Sequence, residues 1–284
     1  MGVLRKAIDI VLYTNVWIAG AAMALYIYTN HFLTGNLVVD NTALFLLANS
    51  TWLYSLHRFI GLQKVGPLDK EDRFYKIAQL KTTIFVVSAI AFIISIVLFF
   101  QLSKSQIIIL LIPGALSLLY VLPIFKNGKR LRDLHFVKIF VISFVWAILT
   151  VVLPASSERL QLFDKLFIVL FLERFLYIFA ITLPFDIRDL EVDQLTGVKT
   201  IANLIGKNKT LYLSLFLLIS CSLLMCHLSF LGQLSTTHLF IHIGTNLITY
   251  GLIGLATHQT HDWFFTGGID GAMYIPLLLL LFLN

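Results

Sequence analysis

The sequence predicts an all-α, polytopic membrane bundle of about nine transmembrane helices, and three observations carry that prediction. Of 284 residues, 58% are hydrophobic and 13% charged, against about a quarter charged in soluble domains. Mean hydropathy is +0.89. Apolar stretches of the roughly 20 residues that a membrane-spanning helix needs recur along the whole chain. They leave no room for a separate soluble domain, so residues 1–284 read as one integral-membrane domain.

Spans are expected near 9–33, 38–60, 78–101, 106–123, 137–154, 163–184, 211–232, 237–256 and 270–284. The first is too long for a signal-peptide core and is not followed by an A-x-A-like cleavage site, so it reads as a retained helix. Cys221 and Cys226 both fall inside the seventh span, where their spacing suits neither a disulfide framework nor zinc.

Lysine and arginine in the connections set the orientation. Arg5 and Lys6 precede the first span. Arg58, Lys64, Lys70, Arg73, Lys76 and Lys81 mark the second connection, Lys126, Lys129, Arg130, Arg132 and Lys138 the fourth, and Arg188, Lys199, Lys207 and Lys209 the sixth. The odd-numbered connections are poor by comparison, with Lys104 in the third and Arg159 and Lys165 in the fifth. The N-terminus and the even connections are therefore expected in the cytoplasm, in a multi-pass protein of the inner or plasma membrane. The net charge of +6 is a one-sided charge that sets topology and attracts anionic lipid headgroups. No basic motif interleaved with aromatics points to nucleic acid.

One stretch departs from the apolar background. DIRDLEVDQLTG, from Asp186 to Gly197, places Asp186, Asp189 and Asp193 at i, i+3 and i+7, one acidic stripe on a helix where the sixth span leaves the hydrocarbon. Arg188 points off the stripe and is a further candidate. Like charges one turn apart disfavour a helix by a few tenths of a kcal/mol, so a compensating cation is expected. Mg²⁺ fits, since it is typically held by one or two carboxylates, phosphate oxygens of a substrate and water. The plain alternative is a solvated helix end. Pro184, which lacks an amide donor, is a candidate kink just before the stripe.

The run RFLYIFAITLPFDIRDLEVDQLTGVKTIANLIGKNKT, from Arg174 to Thr210, resembles the second aspartate-rich motif of the UbiA superfamily of intramembrane prenyltransferases. Asp189, Asp193, Gly197, Lys199 and Thr200 match its Asp-(x)3-Asp, Gly and Lys-Thr pattern. LLYVLPIFKNGKRLRDLHFVKIFVISFVWA, from Leu118 to Ala147, looks like the family's fourth and fifth helices, with Tyr120 and Pro123 before a basic connection. The resemblance implies an enzyme that moves a prenyl group from a prenyl diphosphate to an aromatic, quinone-precursor or lipid acceptor inside the bilayer. It implies Mg²⁺ on Asp189 and Asp193, with Asp186 assisting, and a diphosphate held by cations among Lys126, Lys129, Arg130, Arg132 and Lys199.

A first motif, usually Asn-(x)3-Asp-(x)3-Asp, belongs at the end of the family's second helix. Here ANSTWLYSLHRFIGLQKVG supplies Asn49, then Leu53 and His57 where aspartates are expected. Aligning Gly66 with Gly197 sets Ser55 against Asp186, Arg58 against Asp189 and Leu62 against Asp193. Arg58, with His57, is then expected to bind the diphosphate directly in place of one metal, since a guanidinium fork suits phosphate oxygens. Asp69, Glu71 and Asp72 in the next loop are an alternative source of carboxylates, although their spacing matches no motif. Glu173 and Arg174 lie inside the sixth span, where ionisable groups usually face the bundle interior; Arg174 is expected to pair structurally or to meet an acceptor's polar head. His227, His238 and His242 form no ligand constellation. Two other readings stay open: a family member that has lost transfer activity and binds an isoprenoid or a membrane partner, and a transporter, which lacks a convincing inverted repeat.

Overall fold

The first apolar stretch is two helices, not the single span expected over 9–33. In the computed structural model, which describes residues 2–62, 73–156, 164–195, 197–258 and 261–283, α1 (Gly2–Tyr13) and α2 (Val16–Thr34) meet at a bend of 62°. Three local features make the break. Asn15 takes a left-handed conformation at φ 66°, which asparagine tolerates better than most residues. Its Nδ2 donates to Ser55 Oγ at 3.1 Å. Arg58 donates from Nη1 to the Tyr13 carbonyl at 3.2 Å and from Nη2 to the Leu12 carbonyl at 3.4 Å, satisfying acceptors that a helix C-terminus leaves open.

The chain continues through α3 (Asn41–Leu62), α4 (Arg73–Gln79), α5 (Lys81–Phe99) and α6 (Lys104–Val121). Next come α7 (Val137–Ala147), a π turn over Ile148–Val152 and α8 (Leu153–Ala155). Then follow α9 (Lys165–Arg188), α10 (Leu190–Leu195), α11 (Ile201–Ile205), α12 (Lys207–Phe230) and α13 (Thr236–Gly254). The last span opens with a π turn, Phe264–Ile269, and a 3₁₀ turn, Asp270–Tyr274, before α14 (Ile275–Leu283). Of the charged residues and glycines that the sequence marks in the connections, Lys64, Gly66, Asp69, Lys70, Glu71, Asp72 and Arg159 lie outside the described residues.

Among the described residues, seven helical segments are long and apolar enough to cross a membrane, and eight if the bent α1–α2 pair is one span. The helices fall where about nine spans were expected, and the chain is an integral, multi-pass membrane protein. The segment over α3 is not among those counted; it carries Asn49, Ser50, His57 and Arg58, which line a cavity, and Ser55, which accepts from Asn15. α9 is an inner helix, packed against α7 and α12. Of an 18-residue stretch within the span Lys165–Arg188, 61% of residues are buried, against 11% in the outer span Lys104–Val121. Pro184 sits within α9, which runs unbroken to Arg188.

Glu173 and Arg174 tie helices together within the bundle. Arg174 donates to Thr150 Oγ1 in the π turn at 2.9 Å and to Thr29 Oγ1 on α2 at 3.4 Å. Its Nε lies 3.8 Å from Glu173, and His242 Nδ1 of α13 approaches Glu173 at 3.6 Å. These polar contacts give buried ionisable groups the partners that a low-dielectric interior demands.

Candidate active site

The acidic stripe is divided by the end of α9. The Asp189 N–H still donates to the Phe185 carbonyl at 2.9 Å, but its ψ of 7° closes α9 there, and α10 starts one residue later. Asp193 follows one turn on, with its N–H on the Asp189 carbonyl at 2.9 Å. Gly197 then turns the chain at φ 71°, a conformation natural to glycine. Thr200 accepts from the Asn203 N–H at 3.3 Å and caps α11. Glycine and threonine of the matched pattern thus shape the loop behind the carboxylates.

A cavity of about 1240 Å³ opens between the helices at this end of α9. Phe45, Phe92, Leu149 and Ile178 contribute to its apolar walls, and Asp189 and Asp193 line it together with Asn49, His57, Arg58, Tyr120, Lys129, Arg130, Arg132 and Arg188. The structure therefore brings most of the sequence candidates to one space. Lys126, Asp186 and Lys199 are not on its wall. Asp186 turns to Lys138, whose Nζ donates to Oδ1 at 2.8 Å, and the backbone N–H of Lys199 donates to His135 Nδ1 at 3.1 Å.

Fixed pairings organise the charges. Arg188 donates to both Asp189 oxygens, at 2.8 and 3.2 Å, and through Nη1 to Asp262 Oδ1 at 2.8 Å. Its guanidinium also lies near the Phe185 and Phe265 rings, 4.9 and 5.3 Å from their centroids. Arg130 grips Asp133 through Nε and Nη2, at 3.0 and 2.8 Å, which leaves its buried Nη1 without a hydrogen-bond partner. Arg132 contacts His57 Nε2 and stacks over Tyr120 at 5.5 Å. A guanidinium cannot accept a proton, so the His57 Nε2 is the acceptor and its proton resides on Nδ1, which is buried and also lacks a partner. Arg130 Nη1 and His57 Nδ1 are thus two donors at the cavity that no acceptor among the described residues uses. Burial, reinforced by the Asp189 and Asp186 charges and opposed by Lys138, pushes the Asp193 carboxyl above its ordinary range.

Among the described residues no three His, Cys, Asp or Glu side chains form a group that could hold a metal ion. Asp189 and Asp193, one turn apart on the cavity wall, do suit an ion that takes its remaining ligands from phosphate and water. Sequence reasoning missed five ionisable members of the wall: Asp133, His135, Lys138, Asp262 and Asp270. For Asp270 the signal was available, since a carboxylate within an expected span is itself a pointer to function.

A family model described as the UbiA prenyltransferase family matches residues 78–263. The chain belongs to that family. The match starts after α3, where the sequence lacks the first motif's aspartates, and ends before the last span. Comparison with curated proteins finds no match. Among solved structures, a UbiA homologue from Aeropyrum pernix K1 is similar with a TM-score of 0.66 at 15% identity, over 94% of this chain and 98% of the other. A UbiA homologue from Archaeoglobus fulgidus bound to GPP and Mg²⁺ gives 0.63 at 11% identity, over 96% and 99%. A structure concerned with digeranylgeranylglyceryl phosphate synthase gives 0.55 at 16% identity, over 98% of each chain. The UbiA fold thus extends beyond the segment that the family model matches.

Proposed function

We propose that this UbiA family member transfers a prenyl group from a prenyl diphosphate to a lipophilic aromatic, quinone-precursor or lipid acceptor inside the bilayer, with Mg²⁺ as cofactor. One observation carries the reading: a single large cavity has two carboxylates, Asp189 and Asp193, and two unused donors, Arg130 Nη1 and His57 Nδ1, on its wall, with apolar residues lining the rest. An anionic headgroup with an attached isoprenoid chain matches that division. The volume exceeds the 300–1,000 Å³ of ordinary ligand pockets, as a site for two substrates should.

Asp189 and Asp193 hold the ion, which when bound neutralises the diphosphate as a leaving group. Arg130 and His57 donate to diphosphate oxygens, and Arg58, Lys129 and Lys138 add positive charge at the same wall. Asp186, paired with Lys138, positions that ammonium and is not assigned to the ion. Apolar walls exclude water from the carbon that loses the diphosphate, and Tyr120 and Tyr54 offer aromatic faces to its developing charge. The cation-rich connections support a cytoplasmic donor-binding end, by the rule that Lys and Arg flank the cytoplasmic ends of spans. The Archaeoglobus homologue bound to GPP and Mg²⁺ supports both ligand assignments.

Purified protein incubated with labelled C15 and C20 prenyl diphosphates and a panel of quinone precursors and lipid alcohols tests the reading. Mg²⁺-dependent product and pyrophosphate release that Asp189→Asn abolishes is the expected result. The absence of aspartates from the first motif equally suits an isoprenoid-binding protein without turnover. Metal-independent binding with no pyrophosphate release would establish that second reading.

A further inference from the structure

The last span contains a carboxylate that the assignment above leaves unused. Asp270 lies on the cavity wall, where the π turn Phe264–Ile269 gives way to the 3₁₀ turn Asp270–Tyr274. Interruptions of this kind inside a helix recur at functional sites. The local sequence TGGIDGA explains the irregular backbone, and Trp17 fixes it from the side: its Nε1 donates to the Gly267 carbonyl at 3.1 Å, while its ring approaches Gly271 so closely that a Cβ there would lie 3.2 Å from Cζ2. The position of Asp270 is therefore set by packing on both sides.

Its chemistry is unlike that of the other acidic groups in the bundle. Glu173 lies against His242 and Arg174, Asp186 against Lys138, and Asp189 and Asp262 against Arg188. No hydrogen bond or ion pair joins Asp270 to the described residues, although the charge of Arg188 acts on it and it in turn acts on Tyr54. A desolvated carboxyl without a partner is costly, and a space built around one suits a ligand that brings a hydrogen-bond donor. Tyr54 and Trp146 stand on the same wall, joined by a Trp146 Nε1 to Tyr54 Oη hydrogen bond of 3.2 Å, and furnish flat aromatic surface beside the carboxyl. Nothing in the proposed diphosphate site requires Asp270.

We propose that Asp270 is the proton acceptor for the second substrate, and that this substrate presents a hydroxyl, phenolic or alcoholic, to it. The inference rests on the prenyl-transfer reading and names the acceptor class for it. The C1–O bond of the donor breaks and its electron pair leaves on the diphosphate. The acceptor nucleophile forms the new bond to C1, and the hydroxyl proton passes to an Asp270 oxygen, which charge balance requires some base to take.

The test compares wild-type protein, Asp270→Asn and Asp189→Asn, using labelled C20 prenyl diphosphate with phenolic and alcoholic acceptors, alongside binding of inorganic pyrophosphate with Mg²⁺. Asp270→Asn is expected to lower kcat by roughly 10² to 10⁴-fold, the usual contribution of a positioned acid or base, while the donor KM and pyrophosphate affinity stay within about twofold. Turnover by Asp270→Asn within about threefold of wild type would overturn the inference and leave the enzyme reading intact. Wild-type protein that transfers to none of these acceptors would overturn both. If Asp270→Asn does not fold, Asp270→Glu serves instead: it keeps a base but misplaces it, so reduced kcat at unchanged pyrophosphate affinity supports the role and unchanged kcat removes it.

Discussion

Lys138 Nζ donates to Asp186 Oδ1 across 2.8 Å, from α7 to α9, and the two residues are 8% and 1% exposed. This pair answers the electrostatic problem of the acidic stripe in part without metal. A protein ammonium, from a residue counted in the sequence only as a topology marker, compensates the most deeply buried of the three aspartates.

Asp186→Asn is expected to destabilise the protein by about 3–5 kcal/mol, because breaking a buried pair leaves one charge uncompensated. Replacing both partners, Lys138→Met with Asp186→Leu, should restore most of that loss. Thermal unfolding in detergent measures both effects. Pyrophosphate affinity separates position from stability: the double variant should remain weak there, since the cavity has lost the Lys138 charge.

Arg188 holds Asp189 by two hydrogen bonds and Asp262 by a third, so it competes with any cation for the Asp189 oxygens. Arg188→Gln should tighten Mg²⁺ binding by roughly tenfold, equivalent to about 1.4 kcal/mol, the order of one charged hydrogen bond. A Mg²⁺ titration of pyrophosphate binding reads the change. Weaker Mg²⁺ binding in the variant would show that Arg188 supports the ion and does not compete with it.

The helical bundle was legible because hydropathy reports burial in lipid directly, and beyond the first stretch the span limits fall close to those of the helices. The acidic motif was legible because four acidic residues within eight positions are rare in such a chain. Its division was not. Periodicity treats Asp186, Asp189 and Asp193 as one stripe, whereas closure of α9 at Asp189 sends Asp186 to Lys138 and leaves the other two on the cavity wall. The break between α1 and α2 was also hidden, since its cause is Arg58, 44 positions after Thr14 in sequence, reaching back to the Leu12 and Tyr13 carbonyls. Contacts between distant residues leave no local pattern to read.

Position in the fourth connection separates cations that looked equivalent. Arg130 lies on the cavity wall with Nη1 unused, and Lys126 does not line the cavity. Arg130→Gln should weaken pyrophosphate binding by roughly 10- to 100-fold, from the loss of a charged hydrogen bond of about 1.5–3 kcal/mol. Lys126→Gln should change it by less than about twofold. Isothermal titration with Mg²⁺ and pyrophosphate distinguishes the two, and equal effects would place the anion outside this cavity.

Arg58 is expected to act in two ways that one substitution separates. Its guanidinium caps the α1 carbonyls and also lines the cavity. Arg58→Lys keeps the positive charge but loses the planar fork that reaches two carbonyls at once. It should lower stability by about 1 kcal/mol or more, the usual scale for a buried acceptor left unsatisfied, with diphosphate affinity nearly preserved. Arg58→Gln removes the charge as well, and should lower both melting temperature and affinity for the prenyl diphosphate. Unchanged affinity in Arg58→Gln, measured beside its melting curve, would confine Arg58 to holding the α1–α2 bend and leave the diphosphate to Arg130, His57 and the ion held by Asp189 and Asp193.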